Sequence, residues 1–172
     1  MTAYVALLRA VNVGGTSKLP MAELKRIADE LGFANARTFI ASGNLVFESD
    51  GAADALGEQI EERLAAFMGK RVPVKIRTAA EMSAVVEANP FKDAPGRRVL
   101  ATFLPEPPPR DALANARGLD GERLALGARE IYVDYCGRLL GRSKLVIPAA
   151  AAGTGRNMNT VSRLAEMAKE MA

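Results

Sequence analysis

Apolar residues come in two rhythms along this chain, and their order predicts most of the architecture. "AYVALLRAV" (3–11) is almost continuously apolar, the pattern of a central strand covered on both faces. In "LPMAELKRIADELGF", Leu24, Ile27, Ala28 and Leu31 recur at helical spacing, with Pro20 at the start and Gly32 as the stop. "ARTFIA" and "NLVFE" read as short strands joined by a tight turn at "SGN". A second helix follows in "AADALGEQIEERLAAFMG", with Leu56, Ile60, Leu64 and Phe67 as its stripe. "VPVKIRT" alternates, and Pro73 marks it as an edge strand. The order βαββαβ is that of the ferredoxin-like split-βαβ unit, whose strand order 4-1-3-2 places the apolar first strand inside and the proline-bearing fourth outside. Helices cover one face of such a sheet, so another part of the chain or a partner subunit should cover the second.

The remainder reads as a smaller α+β subdomain. Thr78–Glu81 is a capping box opening a third helix, with Met82, Val85 and Val86 inward. "RRVLATFL" is a strand and "PEPPPR" a stiff connector. A short helix is expected around Asp111–Ala116, and "ERLAL" with "EIYVDY" should form a hairpin across Gly127. "GTGRNM" reads as a loop opening the last helix from about Asn157, with Met158, Val161, Leu164, Ala168 and Met171 inward. The expected fold class is therefore α+β: a ferredoxin-like βαββαβ subdomain over 1–78, then a smaller α+β subdomain over 79–172 whose C-terminal helix packs back on the first.

Composition removes whole classes of chemistry. The 172 residues include no histidine and one cysteine, Cys136. Ser–His–Asp and Cys–His nucleophile systems are thereby excluded, as are histidine- or cysteine-built zinc sites. No acidic cluster has calcium-loop spacing, so no metal is expected. A lone cysteine suits a reducing cytoplasm. No run approaches the ~20 apolar residues of a membrane span, and the start reads as a strand rather than a leader. The expected location is cytoplasmic.

Net charge is only +3, but it is unevenly spread. Between Asp134 and Glu166 there is no acid, while Arg138, Arg142, Lys144, Arg156 and Arg163 fall there; the first 22 residues are also acid-free and carry Arg9 and Lys18. Polar, glycine-marked loops sit in both regions, "RAVNVGGTSK" (9–18), "GRSKL" (141–145) and "GTGRNMNT" (153–160), and a further one, "SGN" (42–44), lies outside them. Glycine lets backbone N–H groups approach an anion, and arginine grips an oxyanion bidentately. "GRLLGRSK" fails as a phosphate P-loop, having three residues between its glycines and Arg142 in place of the lysine, and "GTGRNM" lacks the third glycine of a dinucleotide fingerprint. No cofactor is expected.

Together "YVALLRAVNVGG", Met21, Leu24, "TFIASGNLVF", "GRSKL" and "GTGRNMNTVSRL" resemble a widespread bacterial family, domain of unknown function 1697, over nearly the whole chain. The resemblance implies a ferredoxin-like first subdomain and a smaller α+β second one, and it brings no assigned activity. Its characteristic positions are here Arg9, Asn12, Gly14, Gly15, Ser42, Gly43, Asn44, Ser143, Lys144, Thr154, Arg156, Asn157 and Thr160. Ala10, Phe39 and Met158 depart from it, standing where glycine, tyrosine and tryptophan are common.

The leading expectation is a protein that binds a small anionic ligand, bearing phosphate or carboxylate, in a cleft between the subdomains. Arg9, Lys144 and Arg156 would supply charge; Asn12, Asn44, Asn157, Ser42 and Thr160 would supply hydrogen bonds. Three alternatives stay open. A nucleic-acid binder is less favoured, because the sheet offers few aromatics for base stacking. An enzyme without histidine would need a pair such as Ser143 and Lys144. The polar loops could also be braces, with Arg156 paired to an acid such as Asp134.

Overall fold

The computed structural model describes residues 1–137 and 142–172. Arg138 and Gly141 of the basic stretch lie outside the described residues. The chain is an α+β fold in two compact units: residues 1–83 with 163–172, and residues 84–162.

In the first unit, β1 (Thr2–Leu8), α1 (Met21–Glu30), β2 (Ala34–Thr38), β3 (Asn44–Ser49), α2 (Ala53–Met68) and β4 (Val74–Thr78) follow the predicted order. The sheet is antiparallel, β2-β3-β1-β4, so β1 is internal and the strand after Pro73 is an edge. Alternation along β1 sorts its residues: Tyr4, Ala6 and Leu8 join Leu24, Ile27, Phe47, Leu56, Ile60 and Leu64 in one core. Val5, Leu7 and Val46, on the other face, are also fully buried. Residues 163–172 of the last helix complete this unit, with Leu164 and Ala168 at 0% exposure. Phe67 departs from its predicted place. It is 46% exposed, and Met68 packs against the core instead. The helix ends there, so its last turn overhangs the core.

α3 (Ala79–Ala88) opens with the expected reciprocal cap: Thr78 N donates to Glu81 Oε1 at 2.9 Å, and Glu81 N donates to Thr78 Oγ1 at 3.1 Å. The second unit holds β5 (Val99–Phe103), β6 (Arg123–Leu126), β7 (Glu130–Asp134) and β8 (Thr154–Asn157), antiparallel in the order β6-β7-β5-β8. Two expectations fail here. Residues 111–116 form successive tight turns, each N–H reaching back three residues (Ala114 N to Asp111 O, Ala116 N to Leu113 O), and no helix. "TGRN" is strand β8, paired along β5, rather than a loop; α4 (Met158–Met171) starts directly after it. Its glycines allow the pairing. A Cβ on Gly153 would lie 2.3 Å from Thr102 Cγ2, and one on Gly155 would lie 3.1 Å from Leu100 Cδ2.

Candidate functional site

The chain leaves β1 through a loop bent the wrong way for ordinary residues. Ala10, Asn12 and Ser17 have φ of 56°, 55° and 53°, and Gly14 and Gly15 share that region. Side chains other than glycine or asparagine take it up at a cost, so something must hold the loop. Asn12 does. Its Nδ2 donates to Leu19 O at 2.9 Å and to Ala41 O at 2.7 Å, and its Oδ1 accepts from Leu19 N at 2.8 Å. One amide thus closes the loop on itself and ties it to the β2–β3 turn.

That turn is built to receive it. Leu8 N donates to Gly43 O at 2.9 Å, and a Cβ on Gly43 would lie 2.6 Å from Val11 Cγ2. Asn44 is fully buried, with Nδ2 donating to Phe39 O at 2.9 Å and Ser42 Oγ at 3.0 Å. The structure therefore brings Asn12, Ser42, Gly43 and Asn44 together, and their polar groups brace the two loops.

Beside this brace is a basic pocket of about 380 Å³, lined by Arg9, Ala10, Val13, Thr16, Ser17, Lys70, Arg71, Val72 and Pro73. None of these is acidic. Lys70 Nζ donates to Ser17 Oγ. Arg71 makes one loose contact, 3.9 Å from Glu61 Oε1, and Glu61 also accepts from Val74 N at 3.3 Å. Lys75 on β4 is half-buried nearby. Burial pushes its pKa below the ordinary lysine value, Glu61 opposes this, and the charges of Arg9, Arg77 and Arg71 push it down further. A separate, mostly apolar hollow of about 450 Å³ lies along Asn12, Gly15, Lys18, Leu19, Pro20, Met21 and Ala41.

The second unit distributes its expected residues differently. Ser143 Oγ donates to buried Glu122 at 3.0 Å and accepts from Leu145 N at 3.3 Å. The serine's partner is thus a carboxylate, not Lys144. Lys144 lines a hollow of about 290 Å³ with Gly118, Leu119, Asp120, Glu122 and Arg142. Arg156 belongs to β8, the opposite sheet edge from β6, which Glu122 precedes. Three strand spacings, roughly 14 Å, separate those edges, so Lys144 and Arg156 do not share a site. Arg156 is 7% exposed, donates from Nη1 to Gly155 O at 2.9 Å, and has its pKa pushed down to about 10 by burial.

Asp134 is not its partner. This fully buried carboxylate accepts from Arg98 Nε, Arg123 Nε and Cys136 N, each at 2.9 Å. Burial alone would raise its pKa, but these donors hold it far below the carboxylate range. Asn157 caps α4, its Oδ1 accepting from Thr160 N at 3.0 Å, and Thr160 is buried. Thr154 Oγ1 is buried without a hydrogen-bond partner among the described residues.

The braced loops, the β8 strand and the capped last helix give the polar, glycine-marked segments definite places. The family model described as "Protein of unknown function (DUF1697)" matches residues 1–132. The chain belongs to that family. A solved structure described as that of the conserved bacterial protein SP0830 from Streptococcus pneumoniae is similar at a TM-score of 0.79 and 24% identity, covering 97% of this chain and 98% of that one. At that identity the likeness is one of fold. No curated protein matches the chain. Among the described residues no helix is long and apolar enough to cross a membrane, and no cluster of three or more acidic or cysteine side chains could hold a metal ion.

Of the residues lining this pocket, Arg9 and the 9–18 loop holding Thr16 and Ser17 are candidates in the sequence, whereas Lys70 and Arg71 are not. The available signal was slight: two consecutive cations immediately after the helix stop Gly69, ahead of a strand pairing with β1.

Proposed function

We propose that this protein binds a small anionic ligand, carrying phosphate or carboxylate, in the basic pocket at the end of β1. The observation that carries the reading is the lining: Arg9, Lys70 and Arg71 with two hydroxyl side chains and no carboxylate. Half-buried Lys75 beside Arg9 and Arg71 adds positive charge. The charges of Arg9, Arg77 and Arg71 act on Lys75, and an anion in the pocket would ease that repulsion. The strained, braced loop supplies a fixed wall to the pocket, and strain held in place by surrounding bonds is common at ligand sites.

Within this reading Arg9 grips the ligand, while Asn12, Gly43 and Asn44 hold the loops in position. The exposed Cys136, held in no disulfide, fits a reducing cytoplasmic setting. A nucleic-acid partner is less well supported: Tyr4 and Phe47 are buried with ring centroids 5.7 Å apart, so neither offers a face to a base. The test is thermal unfolding with added phosphate, for wild type and Arg9→Ala. At 100 times its dissociation constant a ligand stabilises by about 2.7 kcal/mol. Stabilisation that is lost in Arg9→Ala is the expected result. Equal stabilisation of both proteins would sink the assignment of the pocket.

A further inference from the structure

The loop after β1 is itself a small hairpin. Thr16 N donates to Val13 O at 3.0 Å and Asn12 N to Ser17 O at 2.9 Å, with Gly14 and Gly15 at φ 58° and 76° forming the turn. Side chains alternate across such a ribbon. Val13 and Thr16 line the basic pocket, whereas Asn12 and Gly15, with Lys18, line the apolar hollow of about 450 Å³. The hairpin is thus a wall between two hollows. The volume of the apolar one is within the range that encloses a small organic molecule. Leu19, Pro20, Met21 and Ala41 supply its apolar lining. The Asn12 amide is committed to the three hydrogen bonds of the brace. The exposed Lys18 ammonium makes no hydrogen bond or ion pair among the described residues. The next acid along the chain, Glu23, is held by Arg26. Strand register brings residues 9–20, 39–43 and 69–73 to one end of the sheet, and none of these segments contains an acid. Glu61 contacts Arg71 and Val74, beside the basic pocket. Ile40, next to Ala41, is a separate sign. It is a branched residue at φ 51° and 48% exposed. That backbone is strained for a branched side chain, and such strain clusters at ligand clamps.

We propose that this hollow is a second binding site, for a small acid with an apolar body. Leu19, Pro20, Met21 and Ala41 cover the body, and Lys18 pairs with the carboxylate. One ammonium, a compact point charge, matches a single carboxylate. The site goes beyond the anion pocket across the hairpin and does not depend on it. Butanoate, hexanoate, octanoate, hexanol and hexylammonium are titrated calorimetrically into the full chain, with and without orthophosphate. Affinity should rise about two- to fourfold per methylene from butanoate to octanoate. Hexanol should bind about fivefold more weakly than hexanoate, and hexylammonium more weakly still. Lys18→Ala should bring hexanoate down to the hexanol level and leave hexanol unchanged, and Lys18→Arg should keep the preference for the acid. Ala41→Gln should flatten the dependence on chain length. Lys18 and Ala41 are exposed, so these variants should fold, and an unchanged melting temperature checks this. Arg9→Ala and added orthophosphate should leave hexanoate binding as it is. Equal affinity for acid, alcohol and amine overturns the inference, as does affinity that ignores chain length. Hexanoate lost in Arg9→Ala, or displaced by orthophosphate, puts the carboxylate in the basic pocket; that outcome overturns the second site while supporting the first. Absence of binding by every compound overturns the second site and leaves the phosphate reading to its own test.

Discussion

Replacing Asn12 probes the brace on which the pocket wall depends. Its amide makes three hydrogen bonds, two with Leu19 in partly buried surroundings and one to exposed Ala41 O. A net hydrogen bond contributes about 0.5–1.5 kcal/mol, so two at about 1 and one at about 0.5 give roughly 2.5 kcal/mol. Alanine at φ 55° adds up to about 1 kcal/mol of backbone cost that asparagine and glycine largely avoid. Asn12→Ala should therefore destabilise the protein by about 3–3.5 kcal/mol, and Asn12→Gly by about 0.5–1 kcal/mol less. Urea unfolding followed by far-UV circular dichroism measures both, and with a slope of about 1–3 kcal/mol per molar the alanine midpoint should fall by about 1 M or more. An alanine variant within about 0.5 kcal/mol of wild type, the ordinary range of surface substitutions, would show that the bonds are not what holds the loop. A glycine variant worse than alanine would refute the left-handed backbone argument.

Gly43→Ala places a Cβ 2.6 Å from Val11 Cγ2 and 2.9 Å from Leu8 Cβ at φ 91°; a loss of about 2–4 kcal/mol is expected in urea unfolding, and a loss below about 1 would mean the turn shifts freely. Asp134 has its folded pKa lowered, so its contribution is fully present above the ordinary carboxylate value. That contribution is lost as acid titrates the folded group, so wild-type stability should fall below about pH 4 more steeply than that of Asp134→Asn; equal slopes would contradict the pairing with Arg98 and Arg123. Thr154→Val removes a buried hydroxyl that has no hydrogen-bond partner among the described residues and should be neutral or stabilise by up to about 1 kcal/mol. A clear loss of melting temperature would mean the hydroxyl is bonded after all.

The first unit was legible because its signals are local and agree with one another. The unbroken apolar run of β1 demanded an inside position, Pro73 demanded an edge, and the Thr78–Glu81 box named the start of α3. β8 was not legible. Its glycines read as a loop, whereas in the fold they let the strand lie close against Thr102 and Leu100, a long-range fact that no local window holds. Residues 111–116 have helical composition, but after the proline run they close only three-residue turns. Phe67 has the right phase for burial and lacks a neighbour to bury it.

At the site the sequence gives away polarity but not employment. Asparagine and serine in turns bond their own backbone as readily as a ligand; in the fold Asn12 and Asn44 donate to backbone carbonyls, and Ser42 Oγ accepts from Asn44. Arg9 was marked by the acid-free start of the chain. Lys70 and Arg71 were hidden because they meet Arg9 only once β4 pairs with β1.

The most direct measurement is a phosphate titration of the isotope-labelled full chain followed by backbone amide chemical shifts. Saturable shifts concentrated at residues 9–18 and 69–75, and abolished by Arg9→Ala, are the expected result. Saturable shifts at residues 153–160 alone, or none at all up to high phosphate, would contradict it.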